Sequence, residues 1–260
     1  MKNDDFLKAA KEAALEAGKV IQRYSGKIHT KNIKNEDVSD VSTDADLEAE
    51  KTIVSILKKA YPNHNIISEE NEKTDRGSEY TWVIDPLDGS FSFMVNMPTY
   101  GVSIGLLKNN KPVLGVLFLI TLNRLYWAQK GKGAYLNGKS IKVTDKDMLD
   151  DSAVVLDLGH RAKRKEKLDL YVNPLITKVG YDYSLGSAVA DLGFIAEGIL
   201  DASVMQAWVW DFVAGTVIIR EAGGMVTDFE GREPDWSKER LSIVASNGLI
   251  HDQILEVLKR

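Results

Sequence analysis

The spacing of apolar residues changes period partway along this chain, and that change dictates most of its architecture. Phe6, Ala9, Ala10, Ala13, Ala14, Ala17, Val20 and Ile21 recur at intervals of three and four, which predicts an amphipathic helix with Asp4 or Asp5 as N-cap. Leu47, Ile53, Val54, Leu57 and Ala60 predict a second helix, capped by Thr43 or Asp44 and stopped at Tyr61-Pro62. From Ile66 the pattern becomes short apolar runs broken by turns, at 65–67, 81–84, 100–108, 112–120 and 124–129. Lys108-Asn109-Asn110-Lys111 and Asn137-Gly138 read as hairpin turns, because Asn and Gly tolerate positive φ. An antiparallel sheet backed by two helices follows.

Beyond about Thr144 strand and helix signals alternate: strands at 153–156, 202–205, 225–228 and 242–245, helices at 187–198, 212–222 and 249–258. The reading is an α+β lobe over residues 1–146 fused to an α/β lobe over 147–260. No Pro-, Gly- or Ser-rich linker divides them, so the lobes share an interface.

Composition narrows the function. Acidic residues outnumber basic ones 38 to 33, for a formal charge of -5, and no long basic tract offers nucleic acid a counterion-releasing surface. With no cysteine there is no thiolate ligand or cysteine nucleophile, which fits a reducing interior and a cytoplasmic location. The N-terminal segment has acids where a signal peptide would be apolar, and no apolar run reaches membrane-spanning length. Neither export nor membrane insertion is expected.

Chemistry concentrates in Trp82-Val83-Ile84-Asp85-Pro86-Leu87-Asp88-Gly89-Ser90. A buried strand runs into Asp85, Pro86 lacks the N–H to continue a ladder, and Asp88-Gly89-Ser90 turns toward a helix start. Two carboxylates about 4 Å apart, at an effective dielectric of roughly 20, repel by about 4 kcal/mol and need a shared proton or a cation. The motif holds neither His nor Cys, so an oxygen-seeking divalent ion, magnesium, fits best. Glu69-Glu70 ends another short strand, and Trp210-Asp211 opens an apolar helix, where Asp211 alone reads as an N-cap.

Together, the WVIDPLDGS run, the upstream Ser68-Glu69-Glu70-Asn71 and the downstream Trp210-Asp211-Phe212-Val213-Ala214-Gly215 resemble the inositol monophosphatase family of lithium-sensitive, magnesium-dependent phosphatases, over nearly the whole chain. The resemblance implies a five-layer αβαβα sandwich and a homodimer. It implies that Glu69, Asp85 and the Leu87 carbonyl hold one metal and Asp85, Asp88 and Asp211 a second, with a third, weaker ion near Glu69. Ser90, where the family carries Thr, would orient the attacking water with Asp46. The N–H groups of Gly89 and Ser90 would face phosphate, and the Gly186-Ser187-Ala188 turn would contact substrate beside Asp88.

The chain departs from the family pattern at Ser92, where Asn is usual, and before Asp211, where 201–208 is one residue shorter and lacks the acid that grips ring hydroxyls in animal-type relatives. Met205, Gln206 and Trp208 are expected to line an altered pocket. Inositol 1-phosphate leads as substrate; fructose 1,6-bisphosphate, histidinol phosphate and 3'-phosphoadenosine 5'-phosphate are alternatives, and a regulatory protein that keeps the fold is the rival of another class. The basic run at 160–167 reads mainly as a solvated helix face, with contact to a second phosphate as its functional alternative. His29, His64, His160 and His251 form no pair at metal-ligand spacing.

Overall fold

The computed structural model describes residues 4–26, 32–33, 41–159 and 163–259. The two N-terminal helices form as the periodicity predicts, at Asp4–Tyr24 and Asp44–Ala60. They pack on one another and on one face of an eight-stranded sheet. From one edge to the other its strands are Lys139–Ser140, Ala134–Leu136, Arg124–Gln129, Lys111–Leu119, Gly101–Lys108, Tyr80–Asp88, Asn65–Ser68 and Lys73–Thr74.

Its neighbours run antiparallel except at one place. Asn65–Ser68 lies parallel to Tyr80–Asp88, because the chain first folds back as Lys73–Thr74 on the outer edge and then reverses again. Two-residue strands of this kind carry too few apolar positions to register in a periodicity.

The central strands are buried on both faces, which is why they read as unbroken apolar runs. Ile104 and Leu106 pack with Ala10, Ala13 and Ile53 on the outer helices. Leu107 and Leu117 face the other way, into a core shared with Leu192, Phe212 and Val213. Those last residues belong to two helices, Ala188–Glu197 and Val209–Glu221, that form the middle layer. Gly115 permits the contact, since a Cβ there would stand 2.1 Å from the Ala214 carbonyl oxygen.

A second, five-stranded sheet covers that layer, in the order Tyr181–Tyr183, Ala153–Leu156, Ala202–Trp208, Arg240–Ser246, Met225–Asp228. Its inner residues Val155, Met205 and Ile243 join the shared core. Its outer residues Val154, Val204 and Val244 pack against Tyr171, Leu175 and Ile254 of the last layer, built from the helical stretch after Lys163 and from His251–Leu258. Helix, sheet, helix, sheet, helix: the five-layer αβαβα order is present. Tyr181–Tyr183 escapes the sequence reading because all three residues are exposed and show no alternation. Among the described residues no helix is long and apolar enough to cross a membrane.

Candidate functional site

The site begins as a defect in a strand. Asp85 pairs with Ser103 and Asp88 with Gly101, so Pro86 and Leu87 together oppose the single residue Val102. This is a β-bulge, where the ladder skips the residue that has no N–H. The strand therefore continues through Pro86 to Asp88 instead of stopping, and the extra residue re-aims both carboxylates. Asp85 is fixed by its own turn, its Oδ1 accepting the Leu87 N–H at 3.0 Å. Gly89 follows at φ 80, and a Cβ there would stand 2.7 Å from the Thr99 carbonyl oxygen, so backbone conformation and space both demand glycine.

Asp88 reaches into the other half of the chain. It accepts the Ser187 hydroxyl and the N–H groups of Ala188 (3.2 Å) and Val189 (2.8 Å), at the start of helix Ala188–Glu197. Ser187 also caps that helix, accepting the Ala190 N–H at 3.2 Å. The positive end of the helix is thus satisfied by a carboxylate from a distant strand.

Asp211 is not the N-cap of its helix. It is the third residue of Val209–Glu221, and its Oδ2 accepts the Trp208 N–H at 2.7 Å. Its other oxygen is left for the cluster. Ligand oxygens of Asp85, Asp88 and Asp211 all lie within 4.8 Å of one another. The Glu69 carboxylate meets that of Asp85, and the Glu69 N–H donates to the Ile84 carbonyl at 3.1 Å.

Crowded acids in a dry place resist ionisation. Burial pushes the Asp85 carboxyl well above the usual carboxylate range, and the charges of Glu69, Asp88 and Asp211 add to it. Asp211 is likewise raised, by burial first and then by Asp88 and Glu69. Asp88 is raised by burial, against the lowering effect of the Ser187, Val189 and Ala188 donors. Buried carboxylate oxygens gathered this closely are what a divalent cation would relieve, and the residues fit such an ion.

Beside the cluster, the Ser90 hydroxyl lies 2.7 Å from Asp46 Oδ1 and 2.9 Å from the Leu87 carbonyl oxygen, with one proton to give to either. Asp46 is the third residue of helix Asp44–Ala60 and is fully buried. Its Oδ2 accepts both the N–H (2.8 Å) and the hydroxyl of Thr43. Burial lifts its carboxyl to about 6, against the lowering bonds from Thr43 and Ser90.

The structure thus brings Asp46, Glu69, Asp85, Leu87, Asp88, Gly89, Ser90, Gly186, Ser187, Ala188 and Asp211 to one region. Two expectations around it need correction. Met205 does not line a pocket; it points into the core between the sheets at 3% exposure, because inward and outward positions alternate along Ala202–Trp208. The basic run is not wholly a solvated face either. His160, Arg161 and Ala162 lie outside the described residues, but Lys167 is buried, paired with Asp157 and donating to the Gln206 carbonyl at 2.9 Å.

Gln206 remains on the surface of a cavity of about 150 Å³ with Lys163, Glu166, Lys167, Arg240 and Ser242. Arg240, which the sequence reading passed over, lies 4.0 Å above the Trp208 ring, and Trp208 stacks on Trp210 at 5.0 Å. The pairing of Trp208 with Arg240 across the sheet brings Arg240 to this surface. Ser92 accepts the Thr99 hydroxyl at 3.3 Å, so a polar contact survives at that departure. His64 lies stacked between Tyr61 and Tyr80, and His251 is held between Ser246 and Thr227.

Comparison with known proteins agrees with this arrangement. The model of the inositol monophosphatase family matches residues 2–260. A fructose-1,6-bisphosphatase/inositol-1-monophosphatase of Aquifex aeolicus is 38% identical over 98% of this chain and 96% of its own. An inositol monophosphatase of Mesembryanthemum crystallinum is 37% identical over 98% and 96%. Among solved structures, the extragenic suppressor protein suhB of Bartonella henselae superposes with a TM-score of 0.90 at 29% identity, covering 98% of this chain and 99% of that one. With its acidic cluster, its five layers and a match from end to end, the chain belongs to the inositol monophosphatase family, whose members are metal-dependent phosphoric monoester hydrolases.

Proposed function

We propose that this protein is a magnesium-dependent phosphomonoesterase that hydrolyses inositol 1-phosphate by direct attack of water on phosphorus, with no phosphoenzyme. The observation that carries the reading is the convergence of Asp85, Asp88 and Asp211 within 4.8 Å, beside a hydroxyl already bonded to a buried carboxylate. An all-oxygen donor set suits a hard ion. Glu69, Asp85 and the Leu87 carbonyl would hold one, and Asp85, Asp88 and Asp211 another, with a third near Glu69. Such ions, when bound, acidify the attacking water and neutralise the leaving oxygen.

The protein's own groups do the rest. Ser90 Oγ takes a proton from water while passing its own to Asp46 Oδ1, 2.7 Å away. A carboxyl lifted to about 6 is suited to accept that proton near neutral pH. The N–H groups of Gly89 and Ser90 orient the phosphate, which explains how an acidic protein binds an anion. Asp88, gripped by the Ser187 helix start, faces the substrate alongside Gly186 and Ala188.

A second reading, fructose 1,6-bisphosphate, is supported by the cavity that Lys163, Lys167 and Arg240 share with Gln206, two residues before Trp208. Release of inorganic phosphate from inositol 1-phosphate, fructose 1,6-bisphosphate, histidinol phosphate and 3'-phosphoadenosine 5'-phosphate, with and without magnesium, decides among them. Preference for the bisphosphate would replace the first reading with the second; failure to hydrolyse any ester with magnesium present would sink both.

A further inference from the structure

We propose that Glu50 is a positioning residue for the metal site: it holds the Glu69–Glu70 loop in ligating position by gripping the loop's backbone. The proposal rests on the reading that Glu69 binds a divalent ion. Glu50 lies one turn after Asp46 on helix Asp44–Ala60, on the buried face with Ala45, Ala49 and Ile53, and is 5% exposed. A carboxylate amid an apolar stripe needs donors. Its Oε1 accepts two consecutive N–H groups, of Asn71 at 3.0 Å and Glu72 at 3.1 Å.

Those two residues close the turn that carries Glu69 and Glu70. On its other side the turn is tied to the strand bearing Asp85, by the Glu69 N–H on the Ile84 carbonyl at 3.1 Å. It is closed on itself by the Ser68 N–H on the Glu72 carbonyl at 2.8 Å. Glu69 is therefore suspended between the strand and the helix. The same helix face carries Asp46, which is bonded to Ser90. One rigid element thus sets the ligand loop and the proton-accepting carboxylate relative to each other. Residues that orient ligands without touching the ion commonly change metal affinity when removed.

The test is calorimetric titration of the full chain with magnesium chloride alone. Glu50→Ala frees both N–H groups and is expected to weaken magnesium binding about tenfold to a hundredfold. Glu50→Gln keeps the acceptor oxygen while removing the charge, and is expected to bind within about threefold of wild type. Ile53→Ala, a cavity on the same helix face, is expected to lower the melting temperature while leaving magnesium affinity within about twofold.

Hydrogen exchange in metal-free wild type supplies a readout that needs no variant to fold: the Asn71 and Glu72 amides should be protected. Exchange at the rate of an open loop would overturn the proposal. Unchanged magnesium affinity in Glu50→Ala, or equal weakening by Ile53→Ala, would also overturn it while leaving the metal reading intact. A wild-type chain that takes up no magnesium would overturn the metal reading and this proposal with it. If Glu50→Ala does not fold, Glu50→Asp, one methylene too short to reach, carries the same expectation.

Discussion

Asp88 and Ser187, ninety-nine residues apart in sequence, are directly hydrogen-bonded. The bond joins the bulged strand of the first sheet to the N-cap of a helix in the middle layer, so a candidate metal ligand is oriented by the packing of the two halves. Ser187→Ala removes one donor from Asp88 and the cap from the helix. It is expected to cost about 1 kcal/mol in urea unfolding and to lower kcat/KM about tenfold. Loss of stability with no kinetic change would confine Ser187 to capping.

Asp85→Asn should separate stability from activity. The folded-state carboxyls of Asp85, Asp88 and Asp211 are raised above their unfolded values, chiefly by burial. The stability they contribute is complete below the unfolded pKa and is lost as pH rises through the folded one. In EDTA the melting temperature should therefore fall as pH rises above the unfolded carboxylate value of about 4, and magnesium should restore it. Asp85→Asn removes the repelling charge; it should melt higher than wild type in EDTA at pH 8 and show no measurable phosphatase activity.

Ser90→Ala breaks the relay to Asp46 and is expected to lower kcat by about a hundredfold to ten-thousandfold. Ser90→Thr keeps the hydroxyl and adds a methyl that restricts its rotamers, so activity should stay within about threefold of wild type. Because Asp46 must be ionised to accept the proton, the acid limb of the pH–rate profile should rise toward about 6, and Asp46→Asn should flatten it. A limb unchanged in Asp46→Asn would remove Asp46 from the relay.

Gly89→Ala meets two obstacles, a φ of 80 and a carbonyl oxygen 2.7 Å from the new Cβ. Strain of this kind costs about 1 to 3 kcal/mol. Thermal denaturation should register that loss, and phosphate release should fall with it because the turn carries the Ser90 N–H and hydroxyl.

His251 links Thr227 and Ser246 through its two ring nitrogens, each at 2.8 Å. Burial lowers its pKa to about 4 from the usual 6.5. A folded pKa below the unfolded one contributes stability that is present at neutral pH and lost as pH falls from 6.5 toward 4. His251→Ala should lower stability at pH 7 by about 2 kcal/mol and shrink the difference at pH 4, as followed by urea titration at both pH values.

Much of this architecture was legible because local chemistry dictates it. Period-three-and-four spacing marks Asp4–Tyr24 and Asp44–Ala60, and the unbroken apolar runs mark strands covered on both faces. The Asp88-Gly89 pair announces a turn beside a carboxylate, since the positive φ of glycine acts locally, whereas Asp85-Pro86 forms a bulge inside a continuing strand. Family resemblance added Glu69, Asp46, Ser90 and Asp211, residues that propensity alone would assign to caps and surface turns.

What the sequence could not decide depends on partners distant along the chain. Periodicity cannot tell whether Met205 faces a pocket or a core, because the answer depends on which strand lies beside Ala202–Trp208. Lys167 looks solvated until Asp157 and the Gln206 carbonyl are placed over it. Glu50 looks like one more surface acid on a charged helix until the Asn71 and Glu72 N–H groups turn toward it. Local pattern determined which segments become helices and strands and where carboxylates gather; tertiary packing decided which buried polar groups meet, since desolvation and hydrogen bonding depend on distance in space rather than along the chain.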